Sequence, residues 1–205
     1  MTSFNDPQAM WNTRFSRPDY LFGEEPNVFL IEQALRLSKG RALALADGEG
    51  RNSVWLAKQG LEVDAFDFSQ PAIEKANKLA FKHGVKVNFQ CADWKSFNWK
   101  ADYYDVVVGI FFQFAGPLER NDLFNKIKQS IKPGGLLVIQ GYGKNQLRYN
   151  TGGPGKIENL YDEALLRDAF NGFDIQVCTT YETIIEEGSG HSGMSALVGF
   201  VAKKP

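Results

Sequence analysis

Leu43-Ala44-Leu45-Ala46-Asp47-Gly48-Glu49-Gly50-Arg51-Asn52-Ser53 decides the fold. Arg41 to Ala46 is short and apolar and reads as a buried strand. Two glycines then bend the chain. Asn52 to Gln59 follows with helical patterning that stops at Gly60. A strand that runs through a glycine bend into a helix is the opening of a βα unit. Glycine at such a bend lets a ligand approach the main chain where a Cβ would block it. The helix N-terminus offers free N–H groups and partial positive charge, which suit a carboxylate or a phosphate. Taken alone, the same pattern also describes an ordinary tight βα turn.

The rhythm continues on both sides of this stretch. Upstream, Asn27 to Ser38 reads as a helix with Pro26 at its start and Gly40 behind it. Downstream, Leu61 to Phe66 is a second strand. Ser69 is placed to cap a helix that carries Pro71 in its first turn and runs to about His83. Val85 to Gln90 is a third strand, and Tyr104 to Ile110 is the most apolar one, expected at the centre. Pro117 to Ile131 is a helix closed by the turn Lys132-Pro133-Gly134-Gly135, and Leu136 to Gln140 is a fifth strand. Such alternation specifies a parallel sheet covered on both faces. The tail departs from it. After the Gly-rich loop Asn150 to Gly155 comes one helix, Asp162 to Phe170. Two long strands follow, Phe173 to Glu186 and Met194 to Lys203, joined by the turn-rich Glu187 to Gly193. A direct connection of that kind makes an antiparallel hairpin. The expected fold is therefore α/β, a Rossmann-like doubly wound seven-stranded mixed sheet. It is mostly parallel, with an antiparallel C-terminal hairpin and helices on both faces.

Composition narrows the class. The chain has 205 residues, the length of one domain. Residues 1–25 are expected to form an N-terminal lid segment and 26–205 a Rossmann-like core. Lys plus Arg is 23 and Asp plus Glu is 24, a net charge of -1. With no basic excess to neutralise phosphates, nucleic acid is not the expected partner. The longest apolar run, Val106 to Phe112, is too short to span a membrane, which takes about 20 residues. Met1 to Trp11 lacks the basic and apolar regions of a secretory signal. Cys91 and Cys178 sit in apolar strand-like stretches and read as buried free thiols of a reducing cytoplasm. Neither they nor His83 and His191 have the spacing of a zinc site. The reading is a soluble cytoplasmic protein with no metal; its oligomeric state is left open.

Further candidates lie where strands end. Asp67 closes the second strand 19 residues after Gly48, the position from which an acid bonds ribose hydroxyls in doubly wound folds; the plain alternative is a helix-start residue beside Ser69. Phe68 is placed to pack on a purine. Ala92-Asp93-Trp94 follows the third strand, with a carboxylate that can accept from an exocyclic amine and an indole wall, or a loop Asp beside a core Trp. Gly109-Ile110-Phe111-Phe112-Gln113-Phe114 ends the fourth strand, at the edge where open parallel sheets bind ligands; Phe112 is the one expected in the core.

These segments, in this order and spacing, resemble the class I S-adenosylmethionine-dependent methyltransferases over about residues 25 to 203. The C-terminal antiparallel pair separates that family from nicotinamide dehydrogenases. Trp11-Asn12-Thr13-Arg14-Phe15, Tyr20-Leu21-Phe22-Gly23, Pro26-Asn27 and Gly48 to Ser53 narrow the resemblance to a small-molecule branch that includes tellurite-resistance and thiopurine methyltransferases. The family pattern Asp-x-Gly-x-Gly-x-Gly is altered: Ala44 stands at the Asp position, Ala46 at the first Gly, and Asp47 where a small residue is common.

The resemblance implies S-adenosyl-L-methionine as cosubstrate and S-adenosyl-L-homocysteine as product. It places the backbone of Ala46, Asp47 and Gly48, on to Gly50, under the methionine part, with Asp47 near the ammonium and Asn52 among the cofactor-binding residues. Asp67 falls at the ribose diol, with Ser69 near it among the cofactor-binding residues; Phe68, Ala92, Asp93 and Trp94 fall at the adenine, and Gly109 and Ile110 beside the sulfonium. Trp11, Arg14 and Tyr20 belong to a covering N-terminal segment, where Arg14 would meet the methionine carboxylate. The implied reaction is in-line methyl transfer to a soft S, Se or Te nucleophile. Acceptor-side candidates are Phe111, Gln113, Tyr142, Arg148 and His191, with His191 expected as a solvated loop residue and Thr151 to Gly155 as either a cover or a plain connector. An NAD(P)-dependent oxidoreductase and a non-catalytic S-adenosylmethionine-binding protein are the rival readings.

Overall fold

The computed structural model describes residues 6–205. Its seven strands are β1 (Arg41–Leu45), β2 (Glu62–Asp67), β3 (Val87–Cys91), β4 (Tyr104–Ile110), β5 (Ile131–Tyr142), β6 (Asp174–Glu187) and β7 (His191–Lys203). The helices are α1 (Pro7–Phe15), α2 (Val28–Glu32), α3 (Arg51–Lys58), α4 (Gln70–Lys82), α5 (Pro117–Ser130) and α6 (Glu163–Ala169). They build one sheet of order β3-β2-β1-β4-β5-β7-β6. β1 to β5 run parallel, and β7 inserts antiparallel between β5 and β6. This is a Rossmann-like, doubly wound mixed sheet.

Strand alternation divides the core. Leu43 and Leu45 of β1 join Val107, Leu137 and Ile139 on one face, under Leu123, Phe124 and Ile127 of α5 and Leu166 of α6. Ala42 joins Val63, Val106, Val108, Leu136 and Val138 on the other, under Phe29 and Leu30 of α2 and Leu56 of α3. Period-two patterning with apolar residues on both sides is what a doubly covered sheet requires. The chain order reverses between β1 and β4, so the crevice at their carboxyl ends is the place for a ligand.

Several expected elements are altered. The helix over Asn27 to Ser38 is broken: α2 ends at Glu32 and a short 3₁₀ turn covers Ala34–Arg36. Phe29 and Leu30 are buried, but Leu35 is fully exposed, so the apolar stripe has nothing to pack on beyond the first turn. Gln33 also diverts hydrogen bonds locally, donating to Phe29 O and accepting from Arg36 Nε. Lys132-Pro133-Gly134-Gly135 is not a separate turn. It lies within β5, where the pairing with β4 shifts register between Tyr104 and Val106. Cys91 is exposed and Cys178 half-buried, because β3 and β6 are the two edges of the sheet. Ser69 occupies the N-cap of α4, yet its hydroxyl makes no capping bond.

Gly50 brings α3 against α4. Its φ is +91°, and a Cβ there would stand 2.8 Å from Ala76 Cβ and 2.9 Å from Ala76 Cα. Gly50→Ala therefore combines a left-handed strain with overpacking, and an expected loss of about 1–3 kcal/mol. Urea unfolding measures it; an unmoved midpoint would mean that the two helices separate freely.

Candidate cofactor and acceptor site

The glycine bend is held from below by two aspartates. Asp67, 4% exposed at the end of β2, accepts from Gly48 N at 3.0 Å through Oδ2 and from Ser69 N at 2.9 Å through Oδ1. One carboxylate thus joins the loop after β1 to the loop after β2. Each oxygen keeps lone-pair capacity for a hydroxyl donor. Asp47 turns instead toward α3. Its Oδ2 takes the Ser53 hydroxyl and its Oδ1 takes Ser53 N at 3.3 Å. Ala46 is left-handed at φ +46°, which accounts for the glycine usual at that place in the resembling family.

Burial pushes the Asp47 carboxyl up to about 7, against the Ser53 hydrogen bonds and with Asp67 as a neighbouring negative charge. Burial likewise pushes Asp67 up to about 6, against the N–H groups of Ser69 and Gly48.

The N-terminal segment is laid over this bend. The Phe15 ring stands 3.4 Å from where a Gly48 Cβ would be. Trp11 stacks on Phe15 at 5.2 Å, and Phe22 meets both rings near 6 Å. Glu49 holds the segment down. This buried carboxylate accepts from Leu21 N and from Lys75 Nζ, each at 2.7 Å. Lys75 Nζ also donates to Asp19 O, Tyr20 OH donates to Lys75 O, and Gln8 Nε2 donates to Phe68 O. Arg14 lies 4.4 Å over the Trp11 ring and, among the described residues, has no carboxylate partner. Residues 1–5 of the expected lid lie outside the described residues.

At the carboxyl ends of β4 and β5 an aromatic wall continues from Phe22. His191 stands 4.2 Å from Phe22, 4.4 Å from Phe111 and 5.6 Å from Tyr142, ring centre to ring centre. His191 is 7% exposed. The expectation of a solvated loop residue is corrected, because β7 begins at His191 and the turn Gly188-Ser189-Gly190 folds against the N-terminal segment. Gly190 N donates to Leu21 O at 2.8 Å, and a Cβ on Gly190 would lie 2.4 Å from the Phe22 ring. His191 Nδ1 faces Glu187 Oε2 at 3.4 Å, and Arg51 Nη2 reaches the same oxygen at 2.7 Å. Asn27 Nδ2 donates to Glu187 Oε1 at 2.8 Å and to Gln140 Oε1 at 2.6 Å, while Asn27 N donates to Asn52 Oδ1 at 3.0 Å. Glu49, Arg51, Asn27 and Glu187 were missed as site residues; Arg51 directly follows the quoted glycines, but its partner lies 136 positions away.

Other candidates are placed differently. Asp93 is exposed, and its Oδ1 accepts from Lys95 N and Ser96 N at 2.8 Å, the geometry of a turn. Trp94 belongs to the core cluster, with Ala92 packed against it. Phe112 is core, as expected, and its ring fills the space a Gly109 side chain would take. Gln113 directs its amide to main chain, donating to Tyr142 O and Asn159 O and accepting from Tyr142 N. Arg148 is exposed in a 3₁₀ turn. Ile110 is buried at the end of β4.

Among the described residues, three buried side-chain polar atoms lack a partner: Asn12 Oδ1, Ser69 Oγ and Tyr142 OH. Each such atom costs about 1–3 kcal/mol when left unsatisfied. Ser69 Oγ stands two residues from Asp67, whose Oδ1 accepts from Ser69 N, so the bend joins a free hydroxyl to a carboxylate that can still accept, a pairing that fits a ligand carrying hydroxyls. Among the described residues, no group of His, Cys, Asp and Glu gathers to hold a metal ion, and no helix is long and apolar enough to cross a membrane.

A family model described as a methyltransferase domain matches residues 42–135. Within those residues the chain is similar to a methyltransferase domain, over somewhat less than half of its length. Carboxy-S-adenosyl-L-methionine synthase of Hydrogenovibrio crunogenus is 35% identical over 85 residues, 40% of this chain and 34% of that protein. Probable S-adenosyl-L-methionine-dependent methyltransferase TehB of Haemophilus influenzae is 24% identical over 110 residues, 54% of this chain and 38% of that protein. The chain matches less than half the length of these curated relatives. In three dimensions the chain superposes on N-methyltransferase NodS of Bradyrhizobium japonicum in complex with S-adenosyl-L-homocysteine. The TM-score is 0.73 at 13% identity, over 97% of this chain and 98% of that one. A structure solved in work on the conversion of a disulfide bond into a thioacetal group during echinomycin biosynthesis gives 0.77 at 17% identity, over 96% and 90%.

Two outcomes follow from the site. Glu49→Ala leaves Leu21 N and Lys75 without their acceptor, so limited proteolysis should cut within residues 6–25 several-fold faster than in the parent chain; equal rates would release Glu49 from its anchoring role. The second concerns pH. Asp47 and Asp67 hold their protons more tightly than an ordinary aspartate near 3.8. Their stabilisation is full below about pH 4 and is lost as pH rises through about 6 and 7. Urea midpoints of the parent should therefore fall between pH 4 and 7 relative to those of Asp47→Asn; parallel curves would refute the assignment.

Proposed function

We propose that this methyltransferase binds S-adenosyl-L-methionine at the glycine bend and transfers its methyl group to a small-molecule acceptor. Asp67 carries the reading: a buried carboxylate where β1 and β2 end together, still able to accept, with the unpartnered Ser69 hydroxyl two residues on. In this arrangement Asp67 and Ser69 take the ribose hydroxyls, the main chain of Ala46 to Gly50 lies under the methionine part, and Arg14 meets its carboxylate. Phe68, Ala92 and Trp94 line the adenine side. Asp93 would have to leave its turn to reach the amine, so the apolar surfaces dominate there.

The sulfonium supplies an activated methyl and a neutral leaving group. The chain's task is to align the acceptor within about 3–3.5 Å of the methyl carbon and to exclude water. Trp11, Phe15 and Phe22 serve exclusion from above. Phe111 and Tyr142 form the acceptor wall. A polarisable soft nucleophile suits these aromatic surfaces, and sulfur is the reacting element named for one structural neighbour. A thiol is therefore the favoured acceptor, with selenium and tellurium analogues in the same class.

Calorimetry tests the reading. S-adenosyl-L-homocysteine should bind and NADH should not; the reverse would favour an oxidoreductase. A folded Asp67→Ala chain should lose about 1–3 kcal/mol of that affinity, roughly 5- to 150-fold. Homocysteine-nucleoside binding with no turnover on a thiol, selenite, tellurite, halide and phenol panel would leave a binding protein instead.

A further inference from the structure

His191 is the one imidazole enclosed at the carboxyl edge. Phe22 of the N-terminal segment, Phe111 after β4 and Tyr142 of β5 surround it. The groups that face it are few. Glu187 of β6 stands at Nδ1, and Arg51 of α3 pairs with that same Glu187 oxygen at 2.7 Å. Arg14 of α1 adds a positive charge further off. The Tyr142 hydroxyl is buried and unpartnered. Gly152 passes close over both groups: a Cβ there would lie 2.6 Å from Tyr142 OH and 3.6 Å from His191 Cδ2, the carbon next to Nε2. Among the described residues Nδ1 is engaged and Nε2 makes no hydrogen bond.

We propose that His191 is the general base of this site and that the acceptor is a neutral thiol that arrives still carrying its proton. The proposal rests on the methyl-transfer reading above and names the acceptor's protonation state. Glu187 accepts the Nδ1 proton and so leaves the Nε2 lone pair to act; Arg51 keeps Glu187 in place and charged. Both are positioning residues. Tyr142 OH, beside the same glycine, is the remaining donor for the acceptor.

The step balances without further reagents. The acceptor sulfur forms its bond to the methyl carbon as that carbon leaves the sulfonium. The S–H proton passes to Nε2. The positive charge of the cosubstrate ends on the imidazolium, which releases the proton to water as product leaves. Protonation states agree with this assignment. Burial holds the imidazole below its ordinary value despite Glu187, so it is neutral near pH 7. Burial alone would raise Glu187, but the His191 hydrogen bond and the Arg51 charge bring it down to about 2, so it is a carboxylate.

Two measurements decide. Nitrogen-15 correlation spectra of the wild-type imidazole, with S-adenosyl-L-homocysteine present, should show the neutral Nδ1–H tautomer at pH 7 and should change in Glu187→Gln. An Nε2–H tautomer, or an imidazolium at pH 7, overturns the proposal even where the nucleoside binds; failure of the nucleoside to bind overturns instead the reading on which it rests. Kinetics use two probes, phenylmethanethiol, protonated at the assay pH, and 4-nitrobenzenethiol, already ionised there. His191→Gln should lower kcat on the first by about 100-fold or more and on the second by less than about threefold. Equal losses on both probes would mean that His191 only supports the wall. A wild-type chain that binds the nucleoside yet methylates neither probe would overturn the acceptor class.

Discussion

The Glu187 carboxylate is the charge on which the rest is arranged. It is 9% exposed and lies at the end of β6. Arg51 at the start of α3, Asn27 before α2 and His191 at the start of β7 all converge on it. A buried charge is tolerated only when it is paired and hydrogen-bonded. Removing one partner of such a group leaves the other uncompensated, at about 3–5 kcal/mol. This one carboxylate therefore locks the C-terminal hairpin, the glycine-bend helix and the entry to α2 into a single register. Without that lock, β6 and β7 would still pair along their length, and their turn would be left to its contacts with the N-terminal segment.

A second carboxylate does the same for the cover. Glu49 sits inside the glycine bend, yet its two oxygens serve Leu21 and Lys75 rather than the bend itself. The aromatic rings of the N-terminal segment are then brought over Gly48. The cover and the hairpin turn also meet directly, through Gly190 N and Leu21 O. The glycine bend and the aromatic wall thus share a roof, with Phe22 meeting Phe15 on one side and His191 on the other. Closing that roof removes water from the place where an activated methyl group would be exposed.

Much of this was legible from the chain alone. Alternating apolar runs and glycine stops gave the parallel strands, and the direct connection after Glu187 gave the antiparallel pair. Asp67 could be singled out because it follows a strand at a set distance from Gly48, and the structure ties it to that glycine's N–H. Asp93 could not be judged the same way: the carboxylate's spacing suited an adenine contact, while the adjacent Lys95 and Ser96 main chain claims it in a turn. The helix after Pro26 was overestimated, since periodicity does not say whether a partner surface exists for Leu35.

By itself the sequence determined the order of elements, the two-faced sheet and the glycine bend, because these follow from local periodicity and local backbone freedom. Only the tertiary structure decided which buried groups meet. His191 reads as a loop residue in a glycine-rich stretch, and Arg51 reads as a helix-start charge. They meet at Glu187, which the fold brings within 2.7 Å of Arg51 from 136 positions away, and a pairing of that kind leaves no periodic trace in either segment.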